Sequence, residues 1–483
     1  MCGNIPRGSI SVDEKDRSIF DFIVPAGMCT GCGACAGLYP SDIRMTIDRR
    51  GWYIPEALND DVERWGEGTL AVCPFSDTAE NEDVIAERLF GGEPGILHRA
   101  ETGYYTGCFA CHVADGKARM ASSSGGLATW LALRLLEMGK VQGAVCVAPS
   151  GRGDRLFEFD IMTSPEDIMR ASKSRYYPVE MSGVMNRIRG FDGRVVLTGL
   201  PCFIKAVRLA CGRDVELSGR IAYTIGLFCG HLKSMRYADY LARSCGVSEK
   251  DLVTIDFRRK IEGSRASEYG IEVTYREGEK LSRRHMRARD VWGGSWSNNL
   301  FMLPACGYCD DIFSETADIA VGDAWLDEYA PDWRGTNLAV CRSAEMARLL
   351  EKGGQDGGLV IEEVPVGKVL KSQAGALRQR RDGLQYRLHL ASKRGIRRPV
   401  KRLKPKADAG TFLDRMLQRQ RLRISEEAHE AFLEQLDRPG LDIFRKSLRF
   451  RIFLSDRINK ARHLPQAVRH KLGRLSGQHG FTG

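Results

Sequence analysis

Cys29-Thr-Gly-Cys32-Gly-Ala-Cys35 places three thiols three residues apart on a glycine-rich loop, and Cys73 follows 38 positions after Cys35, directly before Pro74. Three closely spaced thiolates can wrap three irons of a cubane while a remote Cys-Pro supplies the fourth corner, the ligand arithmetic of a [4Fe–4S] cluster of bacterial ferredoxin type. Gly31 and Gly33 free the loop of side chains, so that backbone amides can approach cluster sulfides. The run occurs once, where a two-cluster ferredoxin would repeat it. A structural zinc site with four cysteine ligands is the alternative, although such sites favour paired CxxC units.

Four further cysteines stand where an α/β fold builds sites. Cys202 ends Thr198-Gly-Leu-Pro-Cys202 at the start of an expected helix, Cys229 closes the apolar run IAYTIGLFC, and Cys306 and Cys309 form the CxxC of ACGYCDD. Ligands of open sheets gather at the carboxyl ends of strands, so these thiols could converge there. Spacing alone leaves open a second cluster, a zinc site or scattered packed thiols. Cys108 and Cys111 form another CxxC, read either as a dithiol or metal half-site or as liners of a strand before an Asp115-Gly116 hairpin turn.

Ser122-Ser123-Ser124-Gly125-Gly126 precedes an amphipathic helix beginning near Leu127. A serine cap, glycines that admit a ligand to the backbone and free N–H groups would suit a pyrophosphate, and an ordinary capped helix is the plainer reading. Lys173 and Arg175 could neutralise phosphates. His231, two residues after Cys229, could donate a proton to a substrate, and Asp323 follows a strand where either a site residue or a cap is expected. Trp292, Trp296 and Trp325 could stack on a flat ligand or simply pack.

The elements that must hold these residues alternate. Strands are expected at Gly143–Ala148, Arg194–Thr198, Ile221–Phe228 and Ile319–Gly322, and helices at Leu127–Met138, Phe203–Cys211, Met235–Ser244 and Ala344–Lys352. Short apolar runs separated by amphipathic helices predict a mostly parallel, buried sheet. Three regions follow: residues 1–95 with the cysteine loop, an α/β core over 96–390, and a basic helical extension over 391–483.

Composition narrows the class. The chain has 483 residues, 15 cysteines and a net charge of +10, and all of that net charge falls on residues 401–483. The charge therefore describes the tail, and without regularly spaced aromatic platforms it does not point to nucleic acid. No apolar run reaches the ~18 residues of a membrane span, and the amino terminus has no apolar signal core. A cytoplasmic protein is expected, whose clustered thiols hold metal or do redox chemistry. In the tail, LDIFRKSLRFRIFL sets Phe444, Leu448 and Ile452 on one helical face among Arg445, Lys446 and Arg449. That pattern fits an anionic membrane surface or an acidic partner, or a terminal helix docked on its own core.

The motifs SSSGGLATWLALRLLEMGKVQGAVCV, KSRYYP, LTGLPC, GLFCGH and CGYCDD–ADIAVGDAW, in that order, resemble the beta subunit of the coenzyme F420 hydrogenase and dehydrogenase family, which includes 7-hydroxymethyl chlorophyll a reductase. The resemblance covers roughly residues 27–345 and implies an iron–sulfur flavoprotein carrying FAD. It implies that Cys202, Cys229, Cys306 and Cys309 hold a second [4Fe–4S] cluster beside the flavin. It also implies that Ser124, Gly125, Gly126 and the Lys173-Ser174-Arg175-Tyr176 segment approach FAD, although Ser172-Lys173-Ser174-Arg175 departs from the family's Gly-Ser/Thr-Lys-Tyr order. Together with the first motif it implies two clusters. The expected activity is electron flow from ferredoxin or a deazaflavin-type donor through both clusters to FAD and on to a small-molecule substrate. An electron-transfer subunit of a larger complex and a non-redox zinc scaffold are the rivals. Bacterial relatives encoded among polysaccharide-biosynthesis enzymes add a glycan context, for which no residue here speaks directly.

Overall fold

The computed structural model describes residues 16–462. The stretch read for a signal sequence and the end of the basic tail lie outside them. The amino-terminal segment forms α1 (Ala34–Leu38), the hairpin β1 (Ile43–Ile47) and β2 (Tyr53–Ala57), α2 (Val62–Val72) and α3 (Glu82–Phe90). A short hairpin, β3 (Leu97–Arg99) and β4 (Gly103–Tyr105), leads into β5 (Gly107–Val113), α4 (Gly116–Ala121), α5 (Leu127–Glu137), β6 (Gly143–Pro149), β7 (Phe157–Met162), α6 (Pro165–Arg170) and α7 (Ser182–Arg189). Then come β8 (Val195–Gly199), α8 (Pro201–Cys211), α9 (Val215–Arg220), β9 (Ile221–Leu227) and α10 (Met235–Ser244). A separate three-stranded sheet, β10 (Leu252–Arg259), β11 (Gly270–Glu277) and β12 (Lys280–Arg287), precedes β13 (Ile319–Asp323), β14 (Asn337–Cys341), α11 (Ala344–Gln355) and β15 (Leu359–Glu363). Five helices end the described residues: α12 (Val366–Ser372), α13 (Ala374–Arg380), α14 (Asp382–Lys393), α15 (Phe412–Gln435) and α16 (Asp442–Arg462).

The central sheet has eight strands in the order β15-β5-β14-β13-β9-β8-β6-β7. Its parallel pairs are β6 with β8, β8 with β9, and β9 with β13. These are the four strands expected from the sequence, whose continuous apolar runs suit burial on both faces. The expected mostly parallel sheet is nevertheless wrong for the whole: β7 on one side, and β14, β5 and β15 on the other, all join antiparallel. The sheet is mixed. Asp115 and Gly116 do not make the expected hairpin turn, because Asp115 caps α4 through the amides of Lys117 and Ala118.

The tail packs on the core. Ile424, Ala428 and Phe432 of α15 and Phe444, Leu448 and Ile452 of α16 join the same buried cluster as Phe301, Tyr240 and Cys32. Among the described residues no helix is long and apolar enough to cross a membrane.

Candidate functional site

Cys29 and Cys32 lie on the loop entering α1, Cys35 in its first turn, and Cys73 terminates α2. Burial, then the neighbouring Cys32, Cys29 and Cys73 sulfurs, holds the Cys35 thiol well above its ordinary pKa, so the four sit within one another's field. Burial likewise pushes the Cys73 thiol up to about 12. The Gly31 amide donates to Cys29 Sγ at 3.3 Å. Both loop glycines have a protein reason. Gly31 and Gly33 have φ of +69° and +80°, and a Cβ on them would lie 2.8 Å from the Tyr53 carbonyl and 2.9 Å from the Met181 and Ser182 amides respectively. The expected role, room for a cluster, is thus at least shared with close packing on β2 and on the entry to α7.

The second set is assembled from three segments. Cys202 is in the first turn of α8, Cys229 lies two residues beyond β9, and Cys306 and Cys309 lie in and just after a 3-10 turn, Pro304–Tyr308. Burial, then Cys309, Cys229 and Cys306, and finally Cys32, raises the Cys202 thiol. Cys202 therefore adjoins both sets. The guanidinium of Arg380, 2% exposed, donates to the carbonyl oxygens of Cys306, Cys309 and Gly230. Burial alone would lower its pKa, but Cys309, Cys306, Cys229 and Cys202 hold it above the usual value. The Leu232 amide donates to Cys306 Sγ at 3.2 Å.

Among the described residues no three His, Cys, Asp or Glu side chains are arranged to hold a single metal ion. A cubane makes a different demand, since each thiolate ends on its own iron. All-cysteine donor sets, buried or half-buried, each with an amide donor on a sulfur and the second with a buried cation, have the chemistry such a cluster uses.

A cleft of about 1520 Å³, partly open to solvent, lies at the carboxyl ends of β8, β9 and β13. Ser123, Ser124, Gly126, Lys173, Ser174, Arg175, Tyr176, His231, Asp323 and Cys229 all line it. Gly125 does not, and a Cβ there would lie 2.7 Å from Asn337 Oδ1 and 2.9 Å from the Cys111 carbonyl. The glycine is needed because the loop crosses the strand ends. The expected serine cap on α5 is also absent: Gly126 occupies the cap position, and the Leu127 amide donates to Asn337 Oδ1 at 3.1 Å. The serines tie the loop instead, with the Ser174 amide donating to Ser123 Oγ at 2.9 Å and Ser124 Oγ to the Thr336 carbonyl at 3.2 Å. Lys260 Nζ donates to the Ser124 carbonyl at 2.9 Å.

The charges are partly spoken for. Lys173 pairs with Asp256 at 2.9 Å, and Asp323 accepts from Arg258 at 2.7 Å. Arg175 lies over the Phe157 ring at 4.7 Å with its Nε unpartnered, and burial lowers its pKa to about 10. His231 stacks on Trp296 at 4.3 Å and 15°, with Nε2 unpartnered. Burial, then Lys233, Arg380 and Arg421, pushes its pKa well down, which favours the neutral imidazole in the cleft. Asp323, expected as a catalytic group, is bound to Arg258 and orients it.

The chain matches the models of the coenzyme F420 hydrogenase/dehydrogenase beta subunit, the N-terminal part over residues 108–186 and the C-terminal part over 192–366. It belongs to this family. Relatives include the coenzyme F420-dependent sulfite reductase of Methanocaldococcus jannaschii, 27% identical over 62% of this chain and 43% of that protein. The chain thus spans less than half of that relative. Another is the beta subunit of the coenzyme F420 hydrogenase of Methanosarcina barkeri, 25% identical over 46% of this chain and 74% of the relative. A third, one of the subunits of the F(420)H(2) dehydrogenase of Methanosarcina mazei, is 22% identical over 63% of this chain and 79% of the relative. A solved structure of the F420-reducing [NiFe] hydrogenase complex from Methanosarcina barkeri aligns with TM-score 0.48 at 19% identity over 63% of this chain and 99% of that one.

The family segments hold the cleft and the second cysteine set, whereas Cys29, Cys32, Cys35, Cys73 and Arg380 lie outside them. The chain's relationship to F420 beta subunits thus covers one cysteine set and leaves the other to be argued from its own residues. Three cleft residues escaped the sequence reading. Lys233, 3% exposed, lies 4.6 Å from the Trp296 ring and donates to the Leu300 carbonyl, and burial lowers its pKa to about 7. Its place four residues after Cys229 was the available signal. Arg258 and Asn337 gave none. Cys108 and Cys111, 2% and 1% exposed, join different apolar clusters, one with Phe313 and the other with Leu127. They point to opposite faces of β5 and cannot act as a dithiol.

Proposed function

We propose that this member of the F420 beta-subunit family is an iron–sulfur flavoprotein oxidoreductase. In this reading a ferredoxin-like amino-terminal unit, residues 1–95, holds one [4Fe–4S] cluster on Cys29, Cys32, Cys35 and Cys73. A core unit, residues 96–390, holds a second on Cys202, Cys229, Cys306 and Cys309, with FAD in the adjoining cleft against Ser123, Ser124, Lys173 and Tyr176. When bound, the clusters supply one-electron transfer, and the flavin joins it to the two-electron chemistry of a small-molecule substrate. The donor is ferredoxin or a reduced deazaflavin.

One observation carries this reading: Cys202 adjoins Cys32 of the first set and the three other thiols of its own, and Cys229 of that set lines the cleft. The inner set thus lies within electrostatic reach of the amino-terminal set through Cys202 and meets the cleft at Cys229. The chain's own work is positional. Trp296 and His231 stack to close one wall against water, Arg258 is fixed by Asp323, and Lys233 brings a buried amine to the wall shared with Cys306.

Anaerobic purification with iron, zinc and flavin measured on one sample tests it. About eight irons and one FAD per chain are expected for two cubanes. Zinc without iron or flavin would overturn the redox reading and leave a cysteine–zinc scaffold. A second reading, a subunit that passes electrons to a partner and has no substrate of its own, is favoured by the names of two relatives, each a subunit of a hydrogenase or dehydrogenase. Substrate turnover by the purified chain alone would exclude it.

A further inference from the structure

Helix α16 has two opposed faces. Phe444, Leu448, Ile452, Ser455 and Ile458 are buried, and the Phe444 ring stacks 5.5 Å from Phe301 at 8°. The apolar face that the sequence offered to a membrane is therefore consumed by the core. The opposite stripe is Lys446, Arg449, Phe450, Phe453, Arg457 and Lys460, at helical spacings of one, three and four, and every one of these side chains is exposed.

Phe450 and Phe453 are 68% and 60% exposed, nearly a turn apart, with cations before and beyond them along the stripe. The ion pairs that α16 does make, Arg451 with Glu427 and Arg462 with Asp414, hold it to α15 and lie off the stripe. Among the described residues none of Lys446, Arg449, Arg457 and Lys460 pairs with a carboxylate, and Arg457 instead lies 6.0 Å from the Phe453 ring. Two bare aromatic rings flanked by unpaired cations on long apolar stems are the make-up of a helix lying in a lipid headgroup layer.

We propose that the outer stripe of α16 docks this protein on the surface of an anionic lipid bilayer. Phe450 and Phe453 enter the boundary between headgroups and acyl chains, and Lys446, Arg449, Arg457 and Lys460 rest on lipid phosphates. The shape favours a plane over a protein partner. The stripe is a single convex ridge about 20 Å long at 1.5 Å per residue, and its other face is packed on the core along its length. Each cation near an anionic surface adds attraction that salt screens, and each aromatic ring adds an apolar contribution that salt does not.

The test is flotation of the full-length, cofactor-loaded protein with vesicles of phosphatidylcholine alone or mixed with phosphatidylglycerol. Binding to the mixed vesicles is expected, with little to the neutral ones and a steep decline as salt rises. Phe450→Ser with Phe453→Ser should weaken it at least about tenfold, as should Lys446→Glu with Arg449→Glu, while absorption spectrum and melting temperature stay unchanged. Failure to bind anionic vesicles, equal binding to neutral ones, or binding indifferent to both pairs overturns the proposal. Capture by polyglutamate that survives the phenylalanine substitutions also overturns it, in favour of an acidic protein partner.

Discussion

The two cysteine sets are assembled by opposite routes. The first is local: three of its thiols lie within one loop and the first turn of α1 that follows it, and the loop's shape is fixed by glycines with positive φ pressed against β2 and the start of α7. The second is built from the ends of β9 and the start of α8, a 3-10 turn, and a buried arginine from α13. Their charge environments differ accordingly. Glu180 lies near Cys32 and Lys205 near Cys73, whereas Arg380 faces all four thiols of the second set. The first set needs one loop, the end of α2 and the surfaces its glycines press on, while the dispersed set needs elements from across the core and a counter-charge that closes it.

The largest expected effect splits the two. Cys306→Ala should remove about four irons and spare the first set, and Cys29→Ala should do the converse, as read by iron content and electron paramagnetic resonance. Loss of all iron from either single variant would mean that the sets are not independent. Arg380→Gln comes next. It strips three carbonyl oxygens of a buried charged donor and should destabilise the protein by about 3 kcal/mol in denaturant melts. It should also move the second cluster's midpoint to lower potential and leave the first in place, because a buried cation favours the more negative reduced cluster. Gly33→Ala should cost roughly 1–3 kcal/mol, for backbone strain and crowding, with iron lost from the first set alone.

The smallest effect concerns the cleft loop, which neither set touches. Burial, then Lys173, Arg119 and Arg258, lowers the Lys260 amine to about 7. The unfolded chain keeps that proton to about 10.4, so across the interval the unfolded state binds more protons and stability rises with pH. Lys260→Met should flatten that rise in melts taken from about pH 6 to about pH 10. An unchanged slope would mean that Lys260 is solvated and does not hold the loop.

What could be read from the sequence follows the same division. The four parallel strands were legible because burial on both faces leaves a plain apolar run, and α5, α8, α10 and α11 because their apolar spacing is regular. The antiparallel flanks were not, since FEFDIM in β7 and NLAVC in β14 carry no signal of which neighbour they join. Of the expected cleft residues all but Gly125 line the cleft, yet their roles shifted. Ser122–Ser124 anchor a loop in place of capping α5, Lys173 has Asp256, and burial pushes the His231 pKa down. Such roles depend on residues far along the chain. Arg380 is the extreme case, with no motif around it and its partners more than seventy positions away.

That separation has a consequence for how the protein is made. Cys29, Cys32, Cys35 and Cys73 all leave the ribosome early, and the elements that shape their loop, apart from the segment at Met181, are complete soon afterwards. Cys202, Cys229, Cys306 and Cys309 emerge much later, and the charge that faces them lies on α13, synthesised later still. In the two-cluster reading the ligands therefore arrive in a built-in order: those of the amino-terminal site are all synthesised before any of the inner site's, and the inner set lacks its counter-charge until α13 has been made.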